Sequence, residues 1–167
     1  ESNINRQVQA LGRTLGQAKV HALRERIADI HPGCVVTAVE EFVEDGNWPG
    51  LLPARVDVLI DACDQVRAKA AMAAWALADG TPLIVVGAAG GKRRAQAVEV
   101  DDLARVTHDP LLASLRQRLR QRHGAARGNA AIGLTCVFSR EAVLRPDEVC
   151  TVDGVVDGSL NCAGYGS

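Results

Sequence analysis

Apolar residues recur at spacings of three and four across Gly16–Ile30, at Val20, Leu23, Ile27 and Ile30, and that period predicts a helix. Pro32-Gly33 would stop it. Cys34-Val-Val-Thr-Ala-Val39 is β-branched and predicts a strand, and Asp45–Gly50 reads as a loop. Val56-Asp-Val-Leu-Ile-Asp61 is a short apolar run ending in an acid, which suits a buried parallel strand. An alanine-rich helix over Val66–Leu77 follows, closed by Asp79-Gly-Thr-Pro82. Leu83–Val86 is the next strand and runs into Gly87-Ala-Ala-Gly-Gly91. Strands and helices thus alternate with short connections, which predicts βαβ crossovers and a mostly parallel sheet flanked by helices, a Rossmann-like α/β architecture.

The pattern changes after residue 91. Ala95–Val100 reads as a strand. Asp109-Pro110 supplies a capping side chain and a first-turn proline, so a helix is expected from there to His123, stopped by Gly124. Leu111, Leu115 and Leu119 form its apolar stripe. Residues 124–129 read as a loop or hinge and Gly133–Phe138 as a last strand. Residues 145–167 are rich in turn formers. No internal repeat is present. One α/β domain over 1–167 is expected, with a nucleotide-binding part in 1–91 and a substrate-side part in 92–167. Both ends read as interrupted, so the chain is expected to be a piece of a longer protein.

Composition narrows this. Of 167 residues, 47% are hydrophobic, which fits a packed core rather than disorder. No apolar stretch is long enough to span a membrane and no signal-peptide pattern opens the chain. The five cysteines include no C-x-x-C pair, so neither a zinc ribbon nor a redox pair is signalled, and a reducing, cytoplasmic setting is expected. Cys136 shares a strand face with Leu134 and Phe138 and is expected in the core. Cys162, in a loop, is the better candidate for a reactive thiol. The four histidines are too scattered for a metal or catalytic cluster.

Net charge is only −1, but the charges are segregated. Residues 110–127 carry Arg116, Arg118, Arg120, Arg122 and Arg127 and no acid, and Lys92-Arg93-Arg94 forms a second basic cluster. Residues 29–64 are strongly acidic. A helix of one sign is a candidate contact for a phosphate backbone, or simply a solvated face. With 3% aromatics, a stacking platform for single-stranded bases is not encoded, so binding would rest on charge and be salt-dependent.

Two stretches suit phosphate chemistry. Arg6 can fork onto a phosphate, with Asn3 and Asn5 to position it. Lys19 falls in the first turn of a helix, where the dipole disfavours a cation unless a phosphate offsets it; a plain solvated lysine is the alternative. Asp61-Ala-Cys-Asp64 lies at the end of a parallel strand, where ligands of open α/β sheets bind. Asp64 can hold Mg²⁺, which takes one or two carboxylates plus phosphates. It can equally cap the helix beginning at Val66, and the two roles can coexist. The run Gly87–Gly91 lacks both common phosphate-loop patterns and reads as close backbone packing.

Together, Ser2-Asn3-Ile4-Asn5-Arg6-Gln7, Gly16-Gln-Ala-Lys19 and Asp61-Ala-Cys-Asp64 resemble the adenylating core of the ubiquitin-activating-like family. The stretches DPLLASLRQRLR, GLTCVFSREAV and NCAGYG resemble its tRNA threonylcarbamoyladenosine dehydratase branch. The resemblance implies a homodimer that uses ATP and Mg²⁺. It implies that Ser2, Asn3, Asn5, Arg6, Lys19, Asp64 and Gln65 contact the nucleotide, with Asp64 on the metal and Arg6, Lys19 and Asp64 assisting the reaction. Gln65 stands where adenylating relatives often have Asn. The implied substrate is threonylcarbamoyladenosine beside a tRNA anticodon, with Arg116, Arg118, Arg120, Arg122 and Arg127 toward the RNA. A sulfur-transfer protein is a further implied partner. The family's glycine-rich loop, its ribose-binding acid and its closing helices fall outside this chain, so this stretch alone is expected to bind ATP weakly. Two alternatives stand beside that reading. One is an adenylyltransferase for a ubiquitin-like sulfur carrier, and the other a non-catalytic nucleic-acid-binding remnant.

Overall fold

The computed structural model describes residues 7–143, which fall into two units, residues 7–43 and residues 44–143. The first contains a 3-10 turn at Gly12–Thr14 and helix α1 (Lys19–Ile30). Helix α1 starts three residues later than its apolar period suggests. Gly16 adopts φ 81° and Ala18 is extended, so the backbone turns into the helix only at Lys19. Only Ala22 of α1 is buried, while Leu23 and Ile30 are exposed. The expected strand over residues 34–39 does not form. Val35 stands 95% exposed. A β-branched run becomes a strand only where a neighbour takes its amides and carbonyls, and residues 34–39 join no ladder among the described residues.

The second unit is built on β1 (Leu59–Asp61), α2 (Val66–Asp79), β2 (Leu83–Val86), β3 (Val98–Asp102), α3 (Pro110–Arg122) and β4 (Thr135–Ser139). The sheet order is β1-β2-β4-β3. β1, β2 and β4 run parallel, and β3 pairs antiparallel to β4, with Val100 opposite Val137. The result is the mixed, mostly parallel sheet that the alternating pattern predicts. β1 is shorter than its apolar run: residues 56–58 lie outside the ladder. The strand expected at Ala95–Val100 begins instead as a 3-10 turn at Ala95–Ala97, and the ladder starts at Val98.

Strand alternation decides where the core lies. Leu83, Val85, Cys136 and Phe138 face α2 and α3, and all are buried. Helix α2 meets them with Ala70, Ala73 and Ala76, whose small side chains let it approach closely; α3 brings Leu112, Leu115 and Leu119. Burial pushes the Cys136 thiol up to about 12, as expected of a core thiol. The opposite face keeps Ile60, Val98 and Val100 exposed. Helix α2 ends at Gly80, whose φ of 80° is the left-handed conformation that stops a helix at low cost. Helix α3 starts as expected: Asp109 accepts a hydrogen bond from the Leu112 amide and Pro110 occupies the first turn. Asp102 accepts from the amides of Ala104, Ile132 and Gly133 and so ties the end of β3 to the approach to β4. Burial raises its carboxyl, but those three amides outweigh it and hold it below the ordinary range.

Candidate functional site

The carboxyl ends of β1 and β2 and the loops beyond them hold Asp61, Asp64 and the glycine run Gly87–Gly91. At the end of β1, Asp61 is 1% exposed. One carboxylate oxygen accepts from the Cys63 amide at 3.1 Å and from the Cys63 thiol at 2.9 Å. The other accepts from Lys69 Nζ at 3.1 Å. Lys69 is fully buried and also donates to the Val86 carbonyl at 2.8 Å and the Asp61 carbonyl at 3.4 Å. One ammonium therefore ties together the ends of two adjacent parallel strands. Burial and the bond to Asp61 push the Cys63 thiol up to about 12, so it is a neutral donor and not a nucleophile.

This arrangement leaves Asp64 as the free acid. Its side chain is exposed and has no hydrogen-bond or ion-pair partner among the described residues. The capping role considered for Asp64 is not what the structure shows: Gln65 is the N-cap of α2, with no side-chain capping bond. No group of three or more His, Cys, Asp or Glu side chains forms a metal cage among the described residues. Asp61 is committed to Lys69 and Cys63, so one carboxylate remains. That donor set fits Mg²⁺ held largely by substrate phosphates and water, and it does not fit an all-protein site. Lys19 is exposed in the first turn of α1, in the other unit. Ser2, Asn3, Asn5 and Arg6 lie outside the described residues, as does Cys162.

After β2 the chain turns at Gly87, and a Cβ there would sit 2.2 Å from Asp109 Oδ2. Close packing is therefore present at Gly87, the first glycine of the run. The vacant side-chain position lets Asp109 accept from the Ala88 amide at 2.8 Å while it caps α3. Further on, Lys92 Nζ donates to the carbonyls of His108, Ser139 and Glu141. The Glu141 carboxylate accepts from the amides of Arg93 and Arg94, both at 2.9 Å. Those two amides hold its carboxyl below the ordinary range.

The arginines of α3 divide by helical spacing. Arg116 and Arg120, four apart, line one groove with Ala113, Gln117 and Gln121, joined by Arg127 from the loop after the helix, in a cavity of about 380 Å³. Arg116 Nη1 donates to the Leu103 and Val106 carbonyls; Arg120 donates to those of Ala126 and Gly128. These acceptors are neutral, so both guanidinium charges persist while their positions are set. Arg118 points elsewhere, 4.0 Å from Asp45, and Arg122 is exposed.

Sequence reasoning missed Lys69 and Glu141, and it read Lys92 only as part of a basic cluster, not as the tether of its loop. Lys69 had a legible signal: it is one of only three lysines, placed on the otherwise apolar face of an alanine-rich helix.

Against known proteins, the ThiF family profile matches residues 1–164. The chain belongs to the ThiF family. The tRNA threonylcarbamoyladenosine dehydratase of Escherichia coli K12 is 38% identical over 99% of this chain. That of Haemophilus influenzae is 31% identical over 99%. The chain spans about 65% and 64% of the lengths of these two relatives. The crystal structure of the E. coli dehydratase in complex with ATP matches with a TM-score of 0.83 at 40% identity. That match covers 87% of this chain and 60% of the other. The dehydratase branch read from the C-terminal motifs is therefore where this ThiF-family chain finds its relatives. No helix among the described residues is long and apolar enough to cross a membrane.

Proposed function

We propose that this chain is part of an enzyme that uses ATP to dehydrate threonylcarbamoyladenosine to its cyclic form, beside the anticodon of tRNA. The observation that supports this most is similarity at 38% identity over 99% of the chain to a protein of that activity. ATP supplies the leaving group: the oxygen lost from the threonyl carboxylate departs on phosphorus rather than as hydroxide. The protein's contribution is positioning and charge neutralisation. Asp64, exposed and unpaired beyond β1, would hold Mg²⁺ against the phosphates. Arg6 and Lys19 would neutralise phosphate charge, with Ser2, Asn3, Asn5 and Gln65 orienting the nucleotide. The Asp61–Lys69 pair holds the loop that presents Asp64. Arg116, Arg120 and Arg127 offer a groove of fixed positive charge to the RNA backbone, with Arg118 and Arg122 flanking it. A homodimer and a cytoplasmic setting belong to the same reading.

The test uses the protein at its full length with ATP, Mg²⁺ and tRNA carrying threonylcarbamoyladenosine, followed by digestion and mass analysis of the nucleosides. Loss of one water from that nucleoside is expected, and Arg6→Ala and Asp64→Asn should each abolish it. An unchanged nucleoside, with AMP appearing instead on the C-terminus of a small carrier protein, would move the assignment to sulfur-carrier adenylation.

A further inference from the structure

The loop 87–94 is held from three sides, yet every one of those contacts engages its backbone or Lys92. Asp109 takes the Ala88 amide, Glu141 takes the amides of Arg93 and Arg94, and Lys92 Nζ reaches three carbonyls. Both arginine side chains stand exposed, and that of Arg93 takes no part. The nearest acid is Glu141, whose carboxylate is 4.0 Å from Arg94 Nε, the outer limit of an ion pair. The amides of Ala89, Gly90 and Gly91 also donate to no acceptor among the described residues. Both arginines and Lys92 line a cavity of about 320 Å³ whose other walls are mostly apolar, among them Val86, Val98 and Val137. Two exposed guanidinium groups and the uncommitted Ala89 amide, on a backbone fixed by Asp109 and Glu141, are suited to a phosphate.

The loop's position says which phosphate. Asp109 caps α3 while holding Ala88, so this loop sits at the N-terminal end of α3. Arg120 and Arg127 lie at its other end. A helix of 13 residues is about 20 Å long, so the two basic clusters would meet phosphates several nucleotides apart on one strand or across one groove. We infer that Arg93 and Arg94, with the loop amides, form a second phosphodiester contact for the RNA, separate from the α3 groove. This rests on the tRNA reading proposed above.

The test measures tRNA binding by the full-length protein as a function of salt. Each phosphate contact contributes about 0.7–0.9 to the slope of log affinity against log salt. Changing both Arg93→Gln and Arg94→Gln should weaken binding on the order of tenfold at moderate salt and reduce the slope by about 1–2. The melting midpoint should stay put, because the bonds to Glu141 come from backbone amides that the substitutions keep. The pair Arg93→Lys and Arg94→Lys should restore the slope. A glutamine pair that binds with the original slope overturns the inference, as does a lysine pair that fails to restore it, since the loss would then be structural. Loss of protection by inorganic phosphate, with tRNA binding untouched, overturns the RNA assignment in favour of a free anion. If the unaltered protein shows no affinity for tRNA, the dehydratase reading itself fails, an outcome visible before either pair is made.

Discussion

At the end of β1, Lys69 donates to one carboxylate and to main-chain carbonyls on two adjacent strands. After β2, Lys92 donates to three main-chain carbonyls and forms no ion pair among the described residues. Both lysines fasten a loop at the ligand-facing end of the sheet. Their electrostatic outcomes are opposite. Lys69 is cancelled by Asp61 inside the protein, so the β1 loop shows solvent the uncancelled acid Asp64. Lys92 spends its bonds on neutral carbonyls, and with Arg93 and Arg94 it outnumbers the one acid beside the loop, Glu141, so the β2 loop shows net positive charge. One mechanical device thus leaves an exposed carboxylate in one place and exposed cations in the other.

The largest expected effect breaks the first of these. Lys69→Met leaves the Asp61 carboxylate buried with only Cys63 to donate to it, and removing one partner of a buried pair costs about 3–5 kcal/mol. Lys92→Met strands carbonyls rather than a charge, and Lys92 is only half-buried, so its cost should be about 1–2 kcal/mol. Denaturant midpoints for the two variants decide the matter. Equal losses would mean that burial of charge is not what separates the two loops. Changing Asp61→Asn together with Lys69→Met should recover part of the first loss, because no uncompensated charge then remains.

Gly87→Ala comes next. The added methyl would overlap Asp109 Oδ2 and press on Leu112 Cδ1, 3.1 Å away. Crowding of this kind costs about 1–3 kcal/mol. The more telling readout is hydrogen exchange at Ala88, which should accelerate as its bond to Asp109 opens. An unchanged Ala88 amide would show that the glycine is not what brings the loop and α3 together.

Cys63 offers a chemical contrast with Cys34. With its thiol pushed up to about 12 and donating to Asp61, Cys63 should resist alkylation at neutral pH, since the thiolate is the nucleophile. Cys34 is exposed and should react first. Mapping of alkylated peptides over time checks this, and early labelling of Cys63 would mean that the Asp61 hub opens readily.

The parts of this molecule legible from sequence are those set by local rules. Asp109-Pro110 marked the start of α3 because a cap and a first-turn proline act within four residues. The alternating apolar runs marked β2 and β4 because burial follows the strand period. Residues 34–39 misled for the complementary reason: β-branching favours a strand, but a ladder needs a partner that no local pattern supplies. The hub around Asp61 joins residues 8 and 17 positions apart, and Lys92 with Glu141 spans 49. Such contacts exist only once the sheet is assembled. The sequence pattern placed Asp64 just past a strand end, where the structure has it exposed, but not the Lys69 pairing that steadies its loop. Arg116, Arg118, Arg120, Arg122 and Arg127 read as one basic stretch, yet helical spacing gathers only Arg116 and Arg120 into a groove, where the following loop adds Arg127.

The smallest effect separates two acids near the end of β4. Glu141 is held below its ordinary value of 4.5 by the amides of Arg94 and Arg93. Glu99 is held below the same value by the Arg140 guanidinium, 2.6 Å away and well exposed. For both, the folded carboxyl is the stronger acid, so each stabilises the fold above 4.5 and that contribution disappears as pH falls through the lower, folded value. Their response to salt should differ. Raising salt from about 0.1 M to about 1 M shortens the screening length from roughly 10 Å to roughly 3 Å, which weakens an exposed ion pair. Amide dipoles fixed in a loop attract no such compensating atmosphere. The Glu99 carboxyl should therefore drift back toward 4.5 in high salt while that of Glu141 stays low, as followed by side-chain carbonyl NMR through an acid titration. If both drift together, the β2 loop is gripped by the mobile charges of Lys92 and Arg94 rather than by its backbone, and the rigid frame assigned to Arg93 and Arg94 loses its support.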